Sequence, residues 1–562
     1  MAPVMAERAS SASAWMELRT APVAFREALG ALLLFAALAV LHTWPLASAP
    51  GSLSRHDNGD AVLNEWAVAW VAHQLPRDPL RLFDANIFYP EPNTLAFSEH
   101  LFAQALMGAP LLWAGASTLL VHNLLLLAGF TLTGWTMCLV LRRYTADWPA
   151  AVLGGMLLAF NAHTLGRIAH LQAVHVEFLP LAMLALDRVL REPALRHALA
   201  LSLFFVLQSL TSNYLLVFSA FGLLAASAAR APEWLGRGRG RPFGLLTLAA
   251  ALAALLLLPF LLPYRQAQVE QGLTRTLVEV STYTASWRDY LSASGRLHFD
   301  WWSARFWSGT ALFPGVTASL LAAVALATGA AWRHRFARMW LALGVAGLVL
   351  SFGAAVPGYS VLYQLVPLLQ GIRASVRFGF LLLAGIAALA AFGLALLRRR
   401  LAGRPRLAAA LAAAALLLVT VEAARLPVGY EPAHRTPSLY RFLASQPEAV
   451  VVELPLYAPY WAHRNSHYML HSTVHWRPML NGYSGFRPAS YFRHFDALKD
   501  FPEPSAIGYL RRLRVTHVVV HENLFVEVHG AAAFERIAGT PGLRTLIRAG
   551  NMTIFQVAGE PE

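Results

Sequence analysis

Apolar runs of about twenty residues, the length of a membrane-crossing helix, recur along this chain between short connections that alternate in character. The runs lie near residues 29–47, 118–141, 148–162, 172–189, 195–211, 214–229, 243–263, 309–330, 338–356, 374–397 and 406–424. The pattern therefore predicts an α-helical polytopic membrane protein of about eleven transmembrane helices. An odd number places the two ends of the chain on opposite sides. Between the first two runs, residues 48–117 form a long loop with its own periodicity. Leu63, Trp66, Trp70 and Val71 repeat at helical spacing, which predicts an amphipathic surface helix with tryptophans at headgroup level. "FYPEPNTLAFSEH" (88–100) reads as a proline-punctuated turn, and "LFAQALMGAPLLWAG" (101–115) as a second surface or re-entrant helix.

The pattern changes after residue 427. "AVVVELPLY" (449–457), "VTHVVVHENLF" (515–525) and "NMTIFQV" (551–557) are runs of strand length, whereas "TPSLYRFLASQ" (436–446) and "SAIGYLRRLRV" (505–515) have helical periodicity. This alternation predicts a small α/β domain over 427–562. The expected organisation is a leader at 1–28, a transmembrane domain at 29–426 and this final domain.

Composition fits the bilayer as solvent. Of the 562 residues, 57% are apolar and 14% charged, and the mean hydropathy is +0.48; a soluble domain carries about 25% charge. The net charge of +14 does not indicate nucleic acid, because the arginines sit in short connections. "RRYTADW" (142–148), "DRVLREPALRH" (187–197), "RAPEWLGRGRGRP" (230–242), "WRHRFAR" (332–338) and "RRRLAGRPR" (398–406) all fall on the side of the N-terminus. Arginine-rich connections stay cytoplasmic. The N-terminus of this multi-pass cell-membrane protein is thus expected in the cytoplasm, and the 48–117 loop and C-terminal domain outside. Residues 29–41 followed by "ASA" (47–49) also resemble a signal peptide, but Pro50 and the long leader favour a retained helix. Either way the next loop lies outside. The single cysteine, Cys138, is in an apolar run and reads as a small core residue.

Candidate chemistry gathers in the non-arginine connections. "SRHDNGDAVLNEW" (54–66) places Asp57 and Asp60 around an Asn-Gly turn. Acidic residues before a helix are ordinary capping chemistry; they are also a candidate general base, and carboxylates at i and i+3 can share one divalent cation. Arg373 and Arg377 stand at the outward start of a span, where topology does not require them. Four apart, they would share a helical face, either as interface anchors or as forks for a phosphate. His163, Arg167 and His170 repeat at four and three, with Glu177 further on; Glu99 and His100 are expected to border the same polar cavity. His463, His467, His471 and His475 would line one face of a helix, but without a nearby acidic ligand they read as a polar surface rather than a metal site. "GRGRGR" (236–241) lacks the strand and glycine spacing of a phosphate loop.

In detail, "GDAVLNEW", "IFYPEPNTLAFSEH", "GRIAHLQAVHVEFLPL", "SNYLLVF", "RASVRFG" and "ELPLY…NGYSGF" resemble a bacterial group of GT-C-like, YfhO-type membrane proteins. The layout as a whole resembles the GT-C glycosyltransferases. The resemblance implies a sugar taken from a polyprenyl-phosphate carrier and an acidic base in the first outward loop, which maps to Asp60 or Asp57. Asp60 is preferred because it directly precedes the surface helix. The chain lacks the adjacent Asp-Glu or Asp-x-Asp pair of that superfamily, so a divalent cation at Asp57 and Asp60 is not specified. The expected function is transfer to a cell-envelope glycan, lipid or protein acceptor at the outer face, with inversion. The alternatives are a transporter or flippase for lipid-linked glycans, and a non-catalytic assembly protein on the same scaffold. Polar residues gather at the ends of spans rather than at the midplane positions that transporters use, which favours chemistry at the interface.

Overall fold

The computed structural model describes residues 23–236 and 238–558; most of the expected leader, residues 1–22, lies outside them. The chain forms two compact units. The first comprises the described residues up to Ala49, those of 124–258, and Thr274–Gly429; the second comprises Pro50–Asn123, Pro259–Leu273 and the described residues from Tyr430 onward.

The first unit is a helical bundle. Among the described residues five helices are long and apolar enough to cross a membrane: Phe25–His42, Thr118–Thr145, Gly240–Gln271, Ser375–Arg400 and Pro405–Ala423. Shorter apolar helices include Leu195–Thr211, Asn213–Ala228 and Val316–Ala327. Small residues let the helices approach closely, as is usual where lipid supplies no hydrophobic drive between them. Phe35 of the first helix is fully buried, and a Cβ added at Gly134 or Gly155 would strike its ring at 2.3 and 2.5 Å. A Cβ at Gly393 would meet the Leu321 carbonyl oxygen at 1.9 Å.

All five arginine connections meet at one end of this bundle. Tyr144 donates to Asp187 at 2.5 Å, and Arg230 pairs with both Asp187 and Glu233. Arg191 lies 3.6 Å from Asp187, and Arg335 and Arg338 lie 4.0 and 3.7 Å from Glu233. Arg398 pairs with Asp147 at 2.8 Å. The polar connections meet elsewhere: Ser294 donates to the Ala162 carbonyl and Arg425 to that of Leu165.

The second unit is assembled from distant pieces of chain. Strand β1 (Leu53–Ser54) pairs antiparallel with β2 (Glu431–Pro432). A four-stranded mixed sheet takes the order β3 (Val451–Leu454), β4 (His517–His521), β6 (Met552–Val557), β5 (Leu543–Ala549), with only β3 and β4 parallel. The early loop extends it: Phe88 and Tyr89 donate to Asn481 and Met479, and Leu480 donates to Val451.

One expectation is overturned here. The helix predicted as an amphipathic surface element spans Gly59–Gln74, and every residue from Ala61 to Ala72 is buried. Helix Phe102–Trp113, helix Ser466–Ser472 and the turn Pro459–Asn465 all pack on it. Its tryptophans are bonded into the unit: Trp70 donates to the Leu82 carbonyl at 2.9 Å and stacks against Trp66. The helix carries few charges, and the C-terminal segment covers the face that periodicity assigned to water.

Candidate functional site

In the second unit the carboxylate loop is ordered by its own side chains. Asn58, not either aspartate, caps helix Gly59–Gln74, accepting the Asp60 amide at 2.9 Å. Asp57 is held in a two-pronged bridge by Arg55 at 2.9 and 3.0 Å. That hydrogen-bonded guanidinium keeps the Asp57 carboxyl below the usual aspartate range, which makes it a poorer base. Asp60 is half-buried at the helix start, and its Oδ1 accepts the Tyr483 hydroxyl at 2.7 Å. One turn further on, buried Glu65 accepts from His56 at 2.9 Å and from Thr118 at 2.6 Å.

Arg55, His56, Glu65 and Tyr483 were not singled out from sequence. Tyr483 carried one signal, its place inside "NGYSGF". His100 is buried among Phe83, Phe260 and Tyr264 and accepts the Phe102 amide at 3.0 Å; burial pushes its imidazole down to about 4. It is a neutral histidine packed beneath a helix start, and Glu99 beside it is half-buried.

The four-residue histidine series is not one helical face. His463 lies in the 3-10 turn Pro459–Asn465, His467 and His471 in helix Ser466–Ser472, and His475 beyond it. His471 and His475 are buried against Tyr440, at 5.1 and 5.8 Å between ring centroids, and do not form the expected polar surface. Helix Ser466–Ser472 ends before His475, so the four-residue spacing does not continue as one face. His467 stacks on His434 at 4.8 Å, near His56. Among the described residues no group of three or more His, Cys, Asp or Glu side chains is placed to hold a metal ion.

In the first unit the predicted basic residues converge by a different geometry from the one expected. Arg373 precedes, and Arg377 lies within, the 3-10 turn Ser375–Phe378, so they share no α-helical face. Arg373 lies over the Tyr283 ring at 4.9 Å and Arg377 over Tyr214 at 4.5 Å. The Arg377 Nε is buried and has no hydrogen-bond partner. Residues 163–177 are broken into the single turn Ala162–Leu165 and the 3-10 turn Leu171–Ala173, so their helical periodicity is also overturned. His163 is buried, and its imidazole is held well below its ordinary value by burial and then by the charges of Arg167, Arg377 and His170. Arg275, missed from sequence, is lowered by burial and feels the charge of Arg373. Glu177 stands apart, bound to His175 at 2.9 Å.

An open apolar groove of ≈ 770 Å³ runs between helices Asn213–Ala228 and Arg335–Ser351, lined by residues such as Phe221, Leu224, Ala228, Leu341, Val345 and Leu350. One end reaches Arg338, at the arginine end of the bundle; the other reaches Leu362. Next to Leu362, the Tyr363 hydroxyl donates to the Arg275 carbonyl. Tyr214, which carries Arg377 on its ring, begins the helix that forms one wall. The groove thus runs from the arginine end of the bundle to Leu362, and one of its wall helices starts beside Tyr214.

No protein-family model matches the chain, and no curated relative does. Among solved structures it is similar to the oligosaccharyltransferase AglB from Archaeoglobus fulgidus, in complex with an inhibitory peptide and a dolichol-phosphate, at 13% identity and TM-score 0.51. The match covers 95% of this chain and 74% of that one. A second structure of the Archaeoglobus fulgidus enzyme, tethered with an acceptor peptide containing the NVT sequon, matches at 13% identity and TM-score 0.49 over the same shares. ArnT from Cupriavidus metallidurans in the apo state matches at 13% identity and 0.47, over 95% of this chain and all of that one. The protein is a membrane protein with the fold of the GT-C glycosyltransferases.

Proposed function

We propose that this protein is an integral-membrane glycosyltransferase that moves a sugar from a polyprenyl-phosphate donor to an acceptor at the extracytoplasmic face. The observation that carries the reading is the apolar groove, a shape suited to an isoprenoid chain, one wall of which is a helix that carries Arg377 on Tyr214 near its start. AglB, of the same fold, was solved with a dolichol-phosphate, which supports a lipid-phosphate ligand here. Fold alone does not dictate activity, so the chemistry must come from the residues.

Donor chemistry belongs to the first unit. Arg377 and Arg373, with Arg275, Arg167, His163 and His170 nearby, would bind the phosphate and neutralise it as it leaves. Acceptor chemistry belongs to the second. Asp60 would take the acceptor hydroxyl proton while the oxygen bonds to the anomeric carbon and the bond from that carbon to the phosphate oxygen breaks. A single displacement of this kind inverts the anomeric centre, the geometry of inverting glycosidases with phosphate as leaving group. Two carboxylates alone, one already held by Arg55, are a poor donor set for a divalent cation, and the proposed step uses none.

Orientation follows from the arginine end of the bundle, which we place in the cytoplasm of an inner membrane. A reporter active only in the cytoplasm, fused after residue 562, is expected to stay silent; a strong signal would reverse the assignment. The groove is tested by filling it. Leu224→Trp with Val345→Trp is expected to weaken polyprenyl-phosphate binding by about tenfold, roughly 1.4 kcal/mol, while Leu320→Trp, exposed on another helix, leaves it intact. Unchanged binding in the groove variant would remove the donor assignment. The groove reaches Arg338 at the arginine end of the bundle, so a flippase for the same lipid is the second reading. It predicts lipid movement across vesicles with no sugar transferred.

A further inference from the structure

The turn Pro459–Asn465, which packs against the start of helix Gly59–Gln74, carries Tyr460 and Trp461 at 83% and 48% exposure. The two rings are adjacent and together form one exposed aromatic patch. They are the outer members of a series. Tyr460 contacts Trp461 at 5.1 Å between centroids, Trp461 contacts His463 at 5.8 Å, and His463 contacts Tyr483 at 6.5 Å. Tyr483 is the residue whose hydroxyl donates to Asp60. An aromatic path thus leads from open surface to the proposed base, and all of it lies within the second unit.

The rim of the path is polar. The Arg464 guanidinium lies 5.4 Å from the Trp461 ring and 3.7 Å from the Glu527 carboxylate. Flat apolar rings beside a charged donor and acceptor match a pyranose, which presents C–H groups on its faces and hydroxyls around its edge. Lipid headgroups also attract Trp and Tyr, but seating this turn in a membrane would press Glu527, 3.7 Å from Arg464, against it and strip it of water. We propose that Tyr460, Trp461 and Arg464 form the binding platform for a saccharide acceptor, oriented to present a hydroxyl to Asp60. The orientation rests on the glycosyltransferase reading; the platform does not.

The test uses the full chain purified in detergent and a fixed panel of two- to four-residue oligosaccharides of glucose, galactose, mannose, rhamnose and N-acetylglucosamine, read by saturation-transfer NMR. At least one is expected to bind saturably and to lose about tenfold or more in affinity with Tyr460→Ala and Trp461→Ala, as loss of stacked aromatic area implies. Both side chains are exposed, so the variants should fold, and Trp301→Ala, exposed elsewhere, serves as the control with unchanged binding. Absence of binding across the panel, or equal binding in all variants, overturns the proposal. So does quenching of the Trp461 contribution to fluorescence by brominated lipid, which would make the turn a membrane contact. Polyprenyl-phosphate binding is measured on the same preparation. If it persists while saccharide binding fails, the acceptor assignment falls alone and the donor reading stands.

Discussion

Asp60→Asn is expected to abolish sugar transfer while leaving the protein folded. The amide oxygen can still accept the Tyr483 hydroxyl that Asp60 Oδ1 accepts at 2.7 Å, and the cap on the helix is Asn58, so neither local contact depends on the charge. What is lost is the ability to take a proton. General-base catalysis contributes about 10²–10⁴-fold, and transfer measured with a radiolabelled sugar lipid should fall by that factor, with donor binding unchanged. Asp57→Asn should have a smaller effect, because Asp57 serves Arg55 through two hydrogen bonds and that bridge depresses its basicity. Tyr483→Phe offers an internal comparison: it removes a hydrogen bond to Asp60 but no proton acceptor, so it should slow transfer less than Asp60→Asn. Full activity in the double variant Asp57→Asn/Asp60→Asn would take this loop out of the mechanism.

Arg377→Lys is expected to weaken binding of a polyprenyl phosphate even though charge is kept. Arg377 lies over the Tyr214 ring at 4.5 Å, and its buried Nε has no protein acceptor. Lysine supplies a point charge without the fork. Arg377→Ala should lose more, about 1.5–3 kcal/mol, the usual worth of a charged hydrogen bond. A graded order of wild type, lysine and alanine variants identifies a phosphate site. An interface anchor predicts something different: lysine snorkels as well as arginine, so affinity would be equal in all three. Isothermal titration of the purified protein separates these outcomes, and equal affinity would leave the groove without a head-group site.

Much of this protein was legible locally. Run length and charge are properties of a short window, so the apolar helices, the arginine-rich connections and the carboxylate loop could be read from the chain before any contact was known. Burial was not. The most apolar windows of Gly240–Gln271 and Ser375–Arg400 are equally apolar, yet 17% of one and 83% of the other is buried in protein. Hydrocarbon and protein interior reward the same side chains, so hydropathy does not separate a peripheral helix from the central one; close backbone approaches at glycines such as Gly385 and Gly393 do. The same limit turned the supposed surface helix at Gly59–Gln74 inward, because the residues that cover it come from the far end of the chain. Tertiary structure alone brought Tyr483 to Asp60 across 423 positions and β1 to β2. It also replaced two expected helical faces with broken turns, where Arg377, Arg167 and His170 still act on His163. Periodicity within a window cannot report such contacts, since each depends on which distant segment fills the space beside it.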